Sequence, residues 1–179
     1  EDQPLIYPDT KYVIHIGLNK TGTSSLQAFL LQNKRILDEQ GWSYPDQFLD
    51  NCAHHDYAKL ISKHTKPITN NEIELKKIIK TIKDQNQRVI LSSEFFWAGV
   101  NPRYLAETFP IEETQIVVYF RNILHHYKSW YQEDINATNL TSHIDQYVFT
   151  QSISLSKIAA QKEWLRTYGR KRMIIKEYD

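Results

Sequence analysis

The stretch HIGLNKTGTSS, residues 15–25, decides how the rest of the chain is read. It keeps the glycine frame of a phosphate-binding loop, G-x-x-x-x-G-K-[ST], with Gly17 and Gly22 at the required separation. It does not keep the lysine. Thr23 and Ser24 follow the second glycine, and the ammonium sits inside the loop at Lys20. Between a strand and a helix, two glycines let the backbone turn tightly and bring N–H groups close to an anion. The helix N-terminus adds roughly half a positive charge. Thr21, Thr23, Ser24 and Ser25 supply hydroxyl donors. The plain alternative is a strand–helix turn carrying a surface lysine.

Outward from the loop, strands and helices alternate. KYVIHIG (11–17) is an apolar run ending at glycine, suited to a buried strand. Leu26, Phe29, Leu30 and Leu37 follow at helical spacing, and Gly41 stops that helix. WSYP (42–45) is a short second strand ended by Pro45. HHDYAKLISKH (54–64) predicts a helix, and residues 71–86 put Leu75, Ile78, Ile79 and Ile82 on one face of another. RVILSS (88–93) and TQIVVYF (114–120) are strands. NILHHYKSWYQE (122–133) and SLSKIAAQKEWLRTYG (154–169) are helices, and RMIIKEY (172–178) is a last strand. NATNLTS (136–142) is the most loop-like stretch.

Strands separated by such helices imply an α/β fold: three layers, a mainly parallel five-stranded sheet flanked by helices, P-loop nucleotide-kinase-like. Residues 1–179 form one domain on this reading. Ligands of such sheets bind at the carboxyl ends of the strands. Lys20 follows the first strand, His54 and His55 the second, Glu94 the third and Arg121 the fourth. That coincidence of topology and residue type argues for an enzyme.

Composition narrows the class. Apolar residues make up 41% and charged residues 24% of the 179, ordinary for a globular protein. The formal net charge of +1 gives no global attraction to nucleic acid or anionic membrane, so any anion site is local. The lone Cys52 cannot form an intramolecular disulfide and reads as a small, partly buried residue. No apolar run is long enough to span a membrane. EDQPLIYPDT (1–10) has neither the basic start nor the apolar run of a signal peptide. A cytoplasmic location is expected, or a lumenal one if an anchor stood upstream. Asn136 and Asn139 match the glycosylation pattern, which matters only in a secreted protein.

In a nucleoside triphosphatase the residue after the lysine holds magnesium, and the lysine reaches the terminal phosphates. A lysine at the turn of the loop can instead cap the bond between a 5′-phosphate and one transferred group of lower charge. Sulfuryl transfer fits that description, with no metal expected. The stretch resembles the 5′-phosphosulfate loop of sulfotransferases that use 3′-phosphoadenosine 5′-phosphosulfate (PAPS), commonly written PKTGTT or PKSGTT. VVYFRNILHHYKSWYQE (117–133) is similar to that family's 3′-phosphate motif, an arginine at a strand end and a serine eight positions later: here Arg121 and Ser129. GWSYPD, ILSSEFF and WLRTYGRKRMIIKEYD resemble bacterial and heparan-type members in order and spacing. Asn19 stands where the family usually has proline, as does Ile123 after the Arg-Asn pair. The resemblance implies a PAPS-dependent sulfotransferase acting on a small-molecule or glycan acceptor. It implies cofactor contacts from Asn19, Lys20, Thr21, Gly22, Thr23, Ser24, Ser25, Arg121 and Ser129. The family usually continues with a segment closing over the adenosine, so this chain is a compact form or lacks it.

Arg121 also stands on physical grounds, because a guanidinium leaving a buried strand suits bidentate phosphate contact. Its plain reading is a surface salt bridge. A hydroxyl or amine acceptor must lose a proton, so a general base is expected. His54 and His55 are candidates, since neutral imidazole titrates near working pH, and Glu94 is their rival. Each has a structural alternative: a capping or surface histidine, or a carboxylate that orients Lys20. His125 and His126 read as structural or near the adenosine. Phe95, Phe96 and Trp97 could wall an acceptor pocket or belong to the core. Trp130, Tyr131 and Trp164 are expected to pack helices onto the sheet. Two other classes compete: a variant P-loop nucleotide or small-molecule kinase, which needs magnesium and a carboxylate to hold it, and a nucleotide-binding module without chemistry.

Overall fold

Tyr12–His15 (β1) is buried at all four positions, as a strand covered on both faces must be. It lies at the centre of a five-stranded sheet in the computed structural model. That structure describes residues 6–47, 49–62, 88–138, 141–150 and 155–178, with positions 73, 77, 80, 81 and 84 between them. The other strands are β2 (Trp42–Ser43), β3 (Arg88–Ser92), β4 (Thr114–Phe120) and β5 (Met173–Glu177). Their order is β2-β3-β1-β4-β5, and every pairing is parallel. β3 lies on one side of β1 and β4 on the other, so the chain crosses over β1 between them and a crevice opens at the carboxyl end of β1. The expected α/β sheet is therefore present, and all rather than most of it is parallel.

The helices are α1 (Thr23–Gln32), α2 (Lys34–Glu39), α3 (His55–Ser62), α4 (Phe95–Gly99), α5 (Pro102–Thr108), α6 (Ile123–Thr138), α7 (Ile144–Thr150) and α8 (Leu155–Tyr168). The single helix expected between the loop and Gly41 is broken at Asn33. The Asn33 side chain donates to the Phe29 carbonyl at 2.8 Å, competing with the backbone ladder. The start of NATNLTS is helical rather than looped, because α6 runs on to Thr138. Its end is held by α7: Tyr147 donates to Asp134 at 2.5 Å, and the Tyr131 ring lies 5.3 Å from that of Tyr147. Tyr131 thus packs on α7, not on the sheet. Three short helices, α4, α5 and α7, escaped the sequence pattern, although α5 carries its signals openly. Asn101 caps it by accepting from Arg103 N–H at 3.0 Å, and Pro102 opens it. The helix expected over 71–86 falls largely outside the described residues. Among those described, no helix is long and apolar enough to cross a membrane.

The core joins Ile14, Ile16, Ile116 and Val118 of the sheet region to Phe96, Leu105 and Trp164. Trp164 is fully buried, stacks on Tyr168 and donates its indole N–H to the Trp97 carbonyl at 3.1 Å. It therefore locks α8 to α4, the helix beside the crevice. Trp164→Ala should lower unfolding free energy by about 3–5 kcal/mol in urea titrations. A loss below about 1 kcal/mol would contradict this packing.

Candidate functional site

The loop after β1 turns on two left-handed residues, Lys20 (φ 66°) and Gly22 (φ 73°). Gly22 is also a close approach: a Cβ there would meet the Tyr178 ring at 2.5 Å. A Cβ on Gly17 would fall 2.4 Å from the Thr23 methyl and 3.0 Å from the His15 ring. His15 thus underlies the loop and Tyr178 backs it. The Thr21 hydroxyl closes the turn by donating to the Leu18 carbonyl at 2.6 Å. No side chain caps the start of α1. Thr23 is buried, while Ser24 and Ser25 are exposed. They line a cleft of about 300 Å³ together with Asn19, Lys20, Gly22, Glu94 and Glu133.

Arg121 leaves β4 and turns toward this loop, donating from Nη1 to the Lys20 carbonyl at 3.3 Å. Its guanidinium lies 5.5 Å from the centre of the Tyr178 ring. Its Nε is buried without a hydrogen-bond partner among the described residues. Such a donor is costly to leave unmatched and would be satisfied by an anion oxygen. Ser129 sits half-buried on α6. The Lys20 ammonium pairs with Glu133 of the same helix.

The two adjacent histidines have opposite fates. His54 is fully buried. Its Nδ1 accepts from Ser92 N–H at 3.1 Å, and its Nε2 lies 3.0 Å from the Pro45 carbonyl, to which only a protonated nitrogen can donate. Burial lowers its pKa to about 4, holding the ring neutral. His54 ties the end of β2 to β3 and offers no lone pair to an acceptor, which corrects its candidacy as the base. His55 starts α3, with Nδ1 2.8 Å from the Ser93 hydroxyl. That hydroxyl oxygen also accepts from Phe95 N–H at 3.1 Å, and with one proton and a second lone pair it can pair with either tautomer of His55. The other His55 nitrogen, Nε2, lies 3.7 Å from Glu94 Oε1, beyond a direct hydrogen bond. The other Glu94 oxygen accepts from Gln27 at 3.1 Å.

Glu94 and Asn19 also line a second cavity, of about 230 Å³, whose walls include Phe95, Trp97, His126 and Trp130. Phe95, Trp97 and Trp130 therefore face a pocket, whereas Phe96 belongs to the core. His126 is buried in that wall and His125 is exposed. Among the described residues, no group of three or more His, Cys, Asp or Glu could hold a metal ion.

Four residues at the site were not singled out from sequence: His15, Gln27, Glu133 and Tyr178. Gln27 had a usable signal, lying one turn after Thr23 on the helix that the loop feeds. Glu133 and Tyr178 reach the loop from distant elements and have none, and His15, at the end of β1, reads only as part of an apolar strand.

Comparison with solved structures follows this geometry. A sulfotransferase from Alicyclobacillus acidocaldarius, known from its crystal structure, superposes with a TM-score of 0.54 at 15% identity. The match covers 94% of this chain and 73% of that one. The fold is sulfotransferase-like. No protein-family model matches the sequence, and no curated protein does.

His15 shares the condition of His54. It is buried, its Nδ1 lies 2.8 Å from the Ser92 hydroxyl, and burial lowers its pKa to about 4. A histidine whose folded pKa lies below its unfolded value of 6.5 destabilises as pH falls. The unfolded chain takes up the proton first, so stability drops between pH 6.5 and about 4, by up to about 1.4 kcal/mol per pH unit for each ring. In an NMR titration, two of the seven histidines should stay neutral down to about pH 5. Titration of all seven near 6.5 would contradict the burial of these rings.

Proposed function

We propose that the chain transfers a sulfuryl group from PAPS to a hydroxyl or amine acceptor. The observation that carries the reading is a single cleft that joins Lys20, the uncapped start of α1 and Glu94. In this reading the 5′-phosphosulfate lies over residues 19–25, against backbone N–H groups and the hydroxyls of Ser24 and Ser25. Arg121, with its unmatched buried Nε, and Ser129 take the 3′-phosphate. The acceptor oxygen or nitrogen bonds to sulfur as the bond from sulfur to the 5′-phosphate oxygen breaks. The electron pair stays on that oxygen, and 3′-phosphoadenosine 5′-phosphate (PAP) leaves. Lys20 stabilises the growing negative charge. Glu94 takes the acceptor's proton, oriented by the Gln27 amide, with the His55 ring beside it. The aromatic cavity beside Glu94 has room for the acceptor's ring or chain.

Calorimetric titration with PAP and AMP tests the cofactor without needing the acceptor. A charged hydrogen-bonded contact contributes roughly 1.5–3 kcal/mol, so PAP should bind about ten- to a hundredfold more tightly than AMP. Arg121→Ala should erase that preference. Equal binding of PAP and AMP by the unmutated protein would sink the assignment of the 3′-phosphate site.

Lys20 is expected to act on the transition state more than on the ground state. Lys20→Ala should lower kcat by about a hundred- to a thousandfold while PAP affinity falls far less. Single-turnover kinetics with PAPS, with and without magnesium, supplies the rate. A variant with near-normal chemistry and weak PAP binding, or a strict magnesium requirement, would favour a kinase-like loop. Tight PAP binding with no turnover of any acceptor would favour a binding module.

A further inference from the structure

Lys20 does not present a bare ammonium to the cleft. Glu133 reaches over from α6 and pairs with it. The lysine side chain is 28% exposed and the glutamate 53%, so water screens the pair and it adds little to stability. Glu133 also lines the cleft, together with Ser24, Ser25 and Glu94. An anion entering there meets one ammonium and two carboxylates. To reach Lys20 it must displace Glu133, whose carboxylate stays on the cleft wall.

This arrangement penalises each extra negative charge on the ligand. A conventional P-loop does the reverse, meeting a triphosphate tail with lysine and magnesium. Sulfuryl and phosphoryl ends are nearly equal in shape, so a cleft of this size cannot sort them by fit. They differ in charge, since a terminal phosphoryl group loses its second proton near pH 6 and a sulfuryl group has none to lose. We infer that Glu133 sets the charge selectivity of the loop: it holds Lys20 until a ligand displaces it, and it disfavours a terminal phosphoryl group against a terminal sulfuryl group. The inference rests on reading the loop as a 5′-phosphosulfate site.

Adenosine 5′-phosphosulfate and ADP isolate the effect. They differ in the terminal group and lack the 3′-phosphate, so the role of Arg121 does not enter. Each should be titrated calorimetrically into the wild type and Glu133→Gln, without magnesium and at low salt, where screening is weakest. The wild type should prefer the phosphosulfate by about tenfold. Glu133→Gln should bind both more tightly, with ADP gaining more, so that the preference shrinks below about threefold. Its thermal midpoint should match the wild type, because the side chain is half in solvent. An unchanged preference would overturn the inference, and so would weaker binding of both ligands, which would mean that Glu133 poses Lys20 for binding. If PAP binds and the preference is unchanged, the inference alone fails. If PAP, ADP and the phosphosulfate all fail to bind either protein, the phosphosulfate reading falls and takes the inference with it.

Discussion

The left-handed turn at Lys20 and Gly22 is the constraint on which the site depends. A residue with a Cβ costs roughly 1–2 kcal/mol in that conformation, and it persists only where the surroundings over-determine it. Here they do. Arg121 grips the Lys20 carbonyl from the end of β4. The Tyr178 ring closes on Gly22 from the end of β5. Tyr178 is itself fixed by a 2.6 Å bond from its N–H to the Phe120 carbonyl, which extends the β4–β5 register. The shape of an early loop is thus set by the last strand of the described chain. The same turn brings Lys20 within reach of α6, where Glu133 meets it.

The opposite side of the crevice is sorted by the period of two along an extended chain. Ser92 bonds to His15 through its hydroxyl and to His54 through its N–H, all among buried groups. Ser93, one residue on, directs its hydroxyl to His55. The inner set is buried and neutral and holds strands together. The outer set leads to Glu94 and the cleft. Two similar side chains, His54 and His55, thereby acquire different chemistry from one step along the backbone. Burial, not residue type, decides which of them stands beside the cleft.

Much of this was legible in the sequence, for a physical reason. Residues 12–15, 88–92 and 114–120 are strands that fill a sheet covered on both faces, so their apolar runs needed no partner to be recognised. That Lys20, Glu94 and Arg121 gather at one end of the sheet was legible because they follow β1, β3 and β4, which run parallel. What was not legible depends on contacts between distant segments. The break at Asn33 turns on one side-chain bond. The persistence of α6 through 136–138 turns on its packing against α7, which overrides the loop-like composition. Glu133 and Tyr178 act only through partners far away in the chain. The choice between His54 and His55 stayed open because a pattern of residue types carries no information about burial.

The structure also supplies a reason for the displaced lysine. In the conventional frame the lysine occupies the position after the second glycine, here Thr23. In this backbone that position is a buried contact: Thr23 is only 5% exposed, and its methyl fills the space a Gly17 side chain would need. A lysine there would have to bury its stem against Gly17 and the His15 ring, and its ammonium would lose water without gaining an anion. Threonine fits, because its methyl packs downward. The cation therefore has to come from the rim of the loop. Lys20 is on that rim, its side chain 28% exposed and its backbone left-handed. A cation on a rim can be approached from outside, and that is why a carboxylate from a neighbouring helix can compete for it. A lysine gripped inside a triphosphate loop could not be regulated in this way. Under the proposed function, moving the ammonium one turn outward changes both the bond it stabilises and the anions it disfavours.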